Sequence, residues 1–121
     1  MRLALPAVFL LAACGDDSSG GPDAQTVSCD EYCTQVEGNC SGAQSQYTSR
    51  DQCLAVCAAF EQGSPGAMNG NSLECRAYHA GAALGDPDTH CVHAGPSGGQ
   101  VCGSLCEGFC SVVQFGCTEG N

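Results

Sequence analysis

The sequence predicts a small, mainly α-helical, disulfide-rich domain, built from short helices that carry C-x3-C faces and containing little or no β-structure. Cysteine is abundant, at 12 of 121 residues, and several cysteines recur four positions apart. Large apolar side chains are scarce: Val, Leu, Ile and Phe make up 14 of the 108 residues after position 13. A fraction below about 20% ordinarily leaves a chain disordered, because buried apolar area cannot offset the ordering entropy. Disulfides are therefore expected to replace a large core.

The charge balance excludes several partners. The chain carries 3 basic and 13 acidic side chains, for a net charge of -10. Nucleic-acid binding is excluded because duplex affinity is built from many Lys and Arg contacts with phosphates. A polybasic membrane patch is excluded for the same reason, so any membrane attachment must be covalent or apolar. The composition predicts no particular protein or ligand partner.

Residues 1–13 have the layout of an export signal. Arg2 is followed by an apolar run over residues 3–11, which is too short to span a bilayer, and then by small residues. The segment Leu11-Ala12-Ala13-Cys14 resembles the lipobox of bacterial lipoproteins. That resemblance implies cleavage before Cys14, lipidation of Cys14, and residence in the cell envelope at the outer membrane. The alternative is an ordinary secretion signal that leaves Cys14 as a disulfide partner.

Residues 14–28 are polar and acidic and are interpreted as a flexible linker. The helical unit is predicted over residues 29–105. Its first helix follows Ser28, which is suited to cap it, with acidic residues in the first turn, and Gly38 is expected to end it.

Three further helices are predicted from caps and stops. Ser49-Arg50-Asp51-Gln52 opens a second helix through Phe60, and Asn71-Ser72-Leu73-Glu74 opens a third that reaches Leu84. A fourth is predicted over residues 101–115, ended by Gly116. Between the third and fourth, Asp86 and Pro87 fit the N-cap and first position of a helix.

The cysteine spacing suggests a disulfide framework. Two antiparallel helices that each show a C-x3-C face can be bridged twice, which predicts Cys29–Cys57 and Cys33–Cys53. A bridge between Cys91 and Cys102 would close the Gly-rich loop between them, and Cys40 would then pair with Cys75, although connectivity cannot be deduced from sequence. Eleven cysteines remain after Cys14, so they cannot all pair internally.

Residues 106–121 repeat the start of the helical unit. An offset of 77 aligns Cys29, Cys33, Val36 and Cys40 with Cys106, Cys110, Val113 and Cys117. The segment is interpreted either as the start of a partial second repeat or as a capping helix.

Most of residues 29–118 resembles a class of uncharacterised cysteine-rich lipoproteins of Gram-negative bacteria. The resemblance is carried by CDEYC at 29–33, SRDQCLAVC at 49–57, CRAYHAGAA at 75–83 and HCVHAGPSGG at 90–99. It implies a fold and a location and no catalytic residue.

The candidate metal ligands are His79, His90 and His93, the three histidines of the chain. Two histidines three apart, with a third on a neighbouring helix, can hold a metal ion through neutral imidazole. The favoured interpretation is structural: Tyr78 and His79 pack and hydrogen-bond in a small core, while His90 and His93 orient the Gly-rich loop. Thiolate ligands are not expected because exported thiols are oxidised, so no cofactor is predicted.

No catalytic motif is present in the sequence. It lacks the G-x-S-x-G elbow, the H-E-x-x-H motif and a phosphate loop. The sequence therefore predicts a lipid-anchored structural or binding protein that is not an enzyme. The alternative is a metal-binding or redox carrier protein that uses its histidines.

Overall fold

The computed structural model describes residues 25–119. Within this range the chain is helical and contains no strand, as the fold-class prediction states. The α-helices of the described residues are α1 (Cys29–Asn39), α2 (Arg50–Cys57), α3 (Leu73–Ala82), α4 (Pro87–Ala94) and α5 (Leu105–Glu119). Single 3-10 turns lie at Gly42–Gln44 and Gly98–Gln100. The predicted signal, its lipidation site Cys14 and most of the linker lie outside the described residues.

The predicted caps are confirmed for the first two helices. Ser28 forms a capping box with Glu31 at the start of α1, and the Ser49 hydroxyl accepts a hydrogen bond from the Gln52 backbone N–H at the start of α2. α2 ends at Cys57 instead of reaching Phe60. The chain tightens there, because the N–H of Phe60 bonds to the Cys57 carbonyl three residues back.

The starts of the later helices correct the sequence reading in two places. Ser72, rather than Asn71, caps α3, and its hydroxyl accepts from the Cys75 backbone N–H. Asp86 caps α4 with Pro87 in the first turn, as predicted. α5 begins at Leu105 rather than at residue 101. Ser104 and Glu107 form a capping pair there, in which each backbone N–H donates to the other side chain.

α3 lies at the centre of the domain and packs against both α1 and α4, while α2 packs on α1. The buried core contains few large apolar side chains, among them Tyr32, Val36 and Leu73, together with alanines. The bridged cysteines supply much of the remaining buried surface: seven of the eight in bridges are at most 2% exposed. Sulfur therefore takes the place of branched aliphatic side chains in this core.

Four disulfides join the described helices. Cys29 is bridged to Cys57 and Cys33 to Cys53, which is the pairing predicted from the two C-x3-C faces. The other two bridges differ from the prediction: the structure has Cys40–Cys91 and Cys75–Cys102, rather than Cys40–Cys75 and Cys91–Cys102.

Helix packing explains this difference. Cys91 lies on α4 next to the end of α1, where its sulfur is 3.7 Å from the Asn39 carbonyl oxygen, so Cys40 is its nearest possible partner. Cys102 reaches the start of α3 because the Gly70 N–H donates to the Val101 carbonyl, 2.9 Å away.

The core also contains a fully buried cation, Arg76, which sequence analysis did not single out. Its guanidinium donates to the carbonyl oxygens of Ser72 and Gly95, at 3.1 and 3.2 Å, and lies 3.9 Å from the centre of the Phe60 ring. Burial lowers the pKa of Arg76. Through these hydrogen bonds the Arg76 side chain connects the start of α3 to the segment that follows α4.

Candidate metal centre

The three histidines are placed by the two helices that follow each other in the chain, α3 and α4. His79 lies in the last turn of α3, and His90 and His93 lie three residues apart in α4. Residues three apart share a helix face, so the Asp86–Pro87 start of α4 directs both imidazoles towards one side. That side faces α3, and the three rings meet there.

The distances define a compact cluster, which we call the histidine cluster: His79, His90 and His93. One ring nitrogen from each residue lies within 4.8 Å of those of the other two. The ring centres of His90 and His93 are 5.0 and 4.8 Å from that of His79, and 6.2 Å from each other. The Nδ1 atoms of His79 and His90 are 2.8 Å apart, which is hydrogen-bond distance.

The protonation state of His79 follows from its contacts. Its Nε2 lies 3.1 Å from the Met68 carbonyl oxygen, which only accepts hydrogen bonds, so Nε2 carries the proton. Burial lowers the pKa of His79, the Met68 contact opposes this, and the neighbouring His93 and His90 lower it further. His79 is therefore neutral at pH 7, with the lone pair of Nδ1 directed at His90.

This arrangement has the features of a metal ligand. Metal-bound histidines usually donate their other ring N–H to a carbonyl or carboxylate, which fixes the ring and its tautomer. The Met68 carbonyl fulfils that role for His79. His90 then donates its Nδ1 proton to His79 when no metal is bound, and would release Nδ1 to a metal by moving that proton to Nε2.

His93 contributes an unsatisfied atom. Its Nδ1 is buried and, among the described residues, has no hydrogen-bond partner. Buried polar atoms are nearly always paired, so one that lacks a partner calls for an explanation, such as an unseen water or ion. Gly99, in the left-handed conformation with φ of +54°, packs closely on the His93 ring: a Cβ there would lie 2.7 Å from Cδ2. The ring is therefore held in place by the Gly-rich segment.

The sulfur atoms of Cys75 and Cys102 also lie within 4.8 Å of a His79 ring nitrogen. They are joined to each other in a disulfide, so neither is a thiolate. Thiolate is the form of cysteine that binds metals. The donor set of the oxidised domain therefore consists of three imidazoles.

The favoured sequence interpretation of these histidines describes part of what the structure shows. His79 is buried and hydrogen-bonded, and His93 contacts the Gly-rich segment, as that interpretation expects. Tyr78 differs, because it is 43% exposed. The three rings converge as the alternative metal-binding interpretation requires. The role of Met68 was missed, because its backbone carbonyl leaves no signal in a sequence.

Of the remaining candidate residues, Cys106 and Cys110 are exposed and free. No helix among the described residues combines the length and the apolar character needed to cross a membrane.

Curated proteins with similar sequences come from fungi and a virus. The aurasperone B biosynthesis cluster protein A of Aspergillus niger is 35% identical over 71 residues, which are 58% of this chain and 23% of that protein. The bifonsecin B biosynthesis cluster protein A of Aspergillus brasiliensis is 34% identical over 71 residues, covering 58% and 24%. A putative EGF-like domain-containing protein of Acanthamoeba polyphaga mimivirus is 30% identical over 80 residues, covering 63% and 15%.

The chain thus spans about a quarter or less of the length of these relatives. No solved structure matches. The relatives overturn the resemblance to bacterial lipoproteins, and the predicted location at a bacterial outer membrane is wrong for the same reason. The Leu-Ala-Ala-Cys segment misled the sequence reading because four small or apolar residues at the end of a short apolar run carry little information.

A family model, described as the BfoA family C-terminal domain, matches residues 16–119. This range includes every described helix and all four disulfides. The chain is therefore a small disulfide-rich domain that belongs to the BfoA family.

Proposed function

We propose that this domain binds one divalent transition-metal ion through His79, His90 and His93. The observation that carries the proposal is the convergence of three imidazoles from two helices, with one nitrogen of each inside a 4.8 Å cluster. Neutral imidazole suits Zn²⁺, Cu²⁺ and Ni²⁺. Under this proposal the domain has a binding role and performs no reaction of its own.

The surroundings of the histidine cluster support a site built for a cation. His79 is neutral and oriented by the Met68 carbonyl, and His93 has a buried nitrogen without a partner. The chain also carries a net charge of -10, which favours the approach of cations. A three-imidazole set leaves a fourth tetrahedral position for water or another ligand.

The disulfides of the domain are consistent with the same proposal. Four disulfides require an oxidising compartment, and the two cysteines that lie next to the histidine cluster, Cys75 and Cys102, are joined to each other, so no thiolate is present at the site. The names of the fungal relatives state a biosynthesis cluster and no reaction, so the proposal rests on the residues of this chain.

The experiment is a titration with Zn²⁺ and Cu²⁺, by calorimetry and by elemental analysis after gel filtration, of the oxidised, chelator-treated chain in which Cys14, Cys106, Cys110 and Cys117 are replaced by alanine, because the free thiols of Cys106 and Cys110 would bind these ions themselves. We expect one ion per chain at pH 7.5. Affinity is expected to fall as the pH is lowered, because a metal ion binds the neutral form of imidazole and competes with protons for it.

Two variants and one control make the assignment specific. His90 and His93 are partly exposed, so glutamine at either position is expected to leave the fold intact. His90→Gln and His93→Gln are each expected to lower the metal affinity at least tenfold. Asp88→Asn, on the same helix, is the control and is expected to leave the affinity unchanged. The proposal is wrong if the oxidised chain without these four cysteines takes up no stoichiometric metal, or if both histidine variants, made in the same chain, bind as tightly as that parent.

A further inference from the structure

The exposed face of α5 carries apolar and thiol side chains together. Leu105 and Phe109 are 67% and 66% exposed, and Val113 is 41% exposed. Cys106 and Cys110 are exposed and free. Positions three and four apart share a helix face, so these five residues form one stripe, which we call the thiol stripe.

The thiol stripe is exposed, and at one edge Leu105 and Phe109 line a shallow groove together with Val56 and Pro96 of the domain. The opposite side of α5 rests on the body of the domain through Gly108, which is buried and lies against the Pro96 carbonyl so closely that a side chain would not fit. None of the five stripe side chains carries a charge. An uncharged, exposed stripe of this kind on a helix is characteristic of a contact surface.

The domain already contains one pair of helices with C-x3-C spacing that is joined by two disulfides. α1 carries Cys29 and Cys33 with the same spacing, and α2 carries Cys53 and Cys57. The two helices run antiparallel, and the first cysteine of each is bridged to the second cysteine of the other, with Cα–Cα distances of 5.7 and 5.9 Å. A pairing in which each partner plays the same role is the pairing that two identical helices make around a two-fold axis.

We infer that α5 binds α5 of a second copy of this chain through the thiol stripe, and that Cys106 of each copy forms a disulfide with Cys110 of the other. An occupant that carries two cysteines with C-x3-C spacing can bridge both thiols at once, as α2 bridges both cysteines of α1. The other C-x3-C helices of the described domain, α1 and α2, have bridged each other. A second α5 offers the required spacing together with matching apolar side chains.

The chemistry balances with an oxidised small thiol such as glutathione disulfide as the oxidant. The Cys106 thiolate attacks it, which releases one glutathione thiolate and leaves a mixed disulfide. The Cys110 thiolate of the second copy then attacks the Cys106 sulfur and expels the second glutathione. Each bridge thus transfers two electrons to one glutathione disulfide, and two bridges consume two of these molecules.

The test uses the oxidised chain with Cys14→Ala and Cys117→Ala, so that Cys106 and Cys110 are its only unassigned thiols. Incubation with glutathione disulfide, followed by non-reducing electrophoresis and intact mass, is expected to yield a covalent dimer. Cys106→Ala and Cys110→Ala, each added alone, are expected to remain monomeric. An equal mixture of the two single variants, one of them labelled with a heavy isotope, is expected to give the mixed dimer.

The mixing experiment separates the antiparallel pairing from its alternatives. The inference is overturned if the parent chain forms a bridge between its own Cys106 and Cys110, or if a single variant dimerises as readily alone as in the mixture. Phe109→Ser leaves both thiols in place and is expected to slow dimer formation about tenfold or more, because the apolar contact is lost. Ser111→Ala, on the side of α5 that faces away from the stripe, is the control and is expected to change nothing.

Discussion

Arg76 shows how a single side chain can organise a core with few apolar residues. It is fully buried and donates to backbone carbonyls of Ser72, Gly95 and Pro96, with the Pro96 contact at 3.4 Å. The carbonyls and the face of the Phe60 ring stabilise the buried charge. Such a residue stabilises the fold because its partners would otherwise be left without donors.

Replacing Arg76 tests this role. Arg76→Met keeps the length of the side chain but removes every donor, and we expect a loss of about 3 kcal/mol or more in the free energy of unfolding. Phe60→Leu removes mainly the ring contact and is expected to cost about 1 kcal/mol. Urea unfolding of both variants measures the difference. Equal losses would show that Arg76 contributes through its ring contact alone.

A second buried polar pair makes the domain sensitive to alkaline pH. The Tyr32 hydroxyl donates to the Ala94 carbonyl, 2.6 Å away, so its oxygen must accept the proton of Tyr47 at 2.8 Å. Burial raises the pKa of Tyr47 to about 12 and also raises that of Tyr32. Tyrosine in an unfolded chain titrates near pH 10.

The sign of the pH effect follows from these pKa values. The folded domain keeps both protons at a pH where the unfolded chain releases them, so their contribution is complete below about pH 10 and is lost as the pH rises towards about 12. Each tyrosine lowers stability by about 1.4 kcal/mol per pH unit in that window. Tyr47→Phe is therefore expected to reduce the slope of stability against pH.

Urea midpoints between pH 8 and 11 measure that slope. They are best taken with Cys106→Ala and Cys110→Ala in the background, since free thiolates exchange with disulfides at high pH. An identical slope for the wild type and Tyr47→Phe would contradict the assignment.

Among the helices, α3 makes the most varied contacts with the rest of the domain, because Cys75, Arg76 and His79 all lie on it. Its start depends on the buried Ser72 hydroxyl, which accepts from the Cys75 N–H at 3.2 Å. Ser72→Ala is expected to cost about 1 kcal/mol of stability, the usual effect of losing a helix cap. Ser111→Ala removes a half-buried hydroxyl from the middle of α5, where it only donates to the Glu107 carbonyl of the same helix, and is expected to change stability by less than about 0.5 kcal/mol. Thermal and urea unfolding compare the two, and equal losses would argue against capping as the cause.

The helix starts were the part of the fold most accessible from sequence. Ser28, Ser49 and Asp86 act locally, within one turn, so their effect is visible in a short segment. Helix ends were harder to predict, because α2 stops at Cys57 without a glycine. α5 passes through Gly116, which was expected to end it.

For the molecule as a whole, features set by local patterns could be predicted from the sequence, and features set by the packing of distant segments could not. Cys29–Cys57 and Cys33–Cys53 were predictable because each of the two helices carries cysteines four positions apart, and two such helices packed antiparallel can be bridged twice. Cys40, Cys75, Cys91 and Cys102 stand in no such pattern, and their partners depend on where α4 and the Gly-rich segment pack. The three histidines could be named as one candidate site from their spacing, but the distances between their rings depend on how α3 and α4 pack, which the sequence does not show.

The disulfides should also differ in what they contribute to stability. In the presence of Cys29–Cys57, the Cys33–Cys53 bridge closes a loop of only about ten residues, because the first bridge already holds the same two helices together. Cys40–Cys91 has a sequence separation of 51 and joins helices that no other bridge connects directly. A longer closed loop removes more entropy from the unfolded chain.

This reasoning gives a ranking that can be measured. Replacing Cys40 and Cys91 together by alanine is expected to cost about 4 kcal/mol, and replacing Cys33 and Cys53 together about 2.7 kcal/mol. The cysteines of both pairs are at most 2% exposed, so the cavities left behind are similar and the difference reports loop closure. The measurement is urea unfolding of the two double variants in the Cys106→Ala, Cys110→Ala background. The reverse order would mean that local packing around α1 and α2, rather than the constraint on the unfolded chain, governs the stability of this domain.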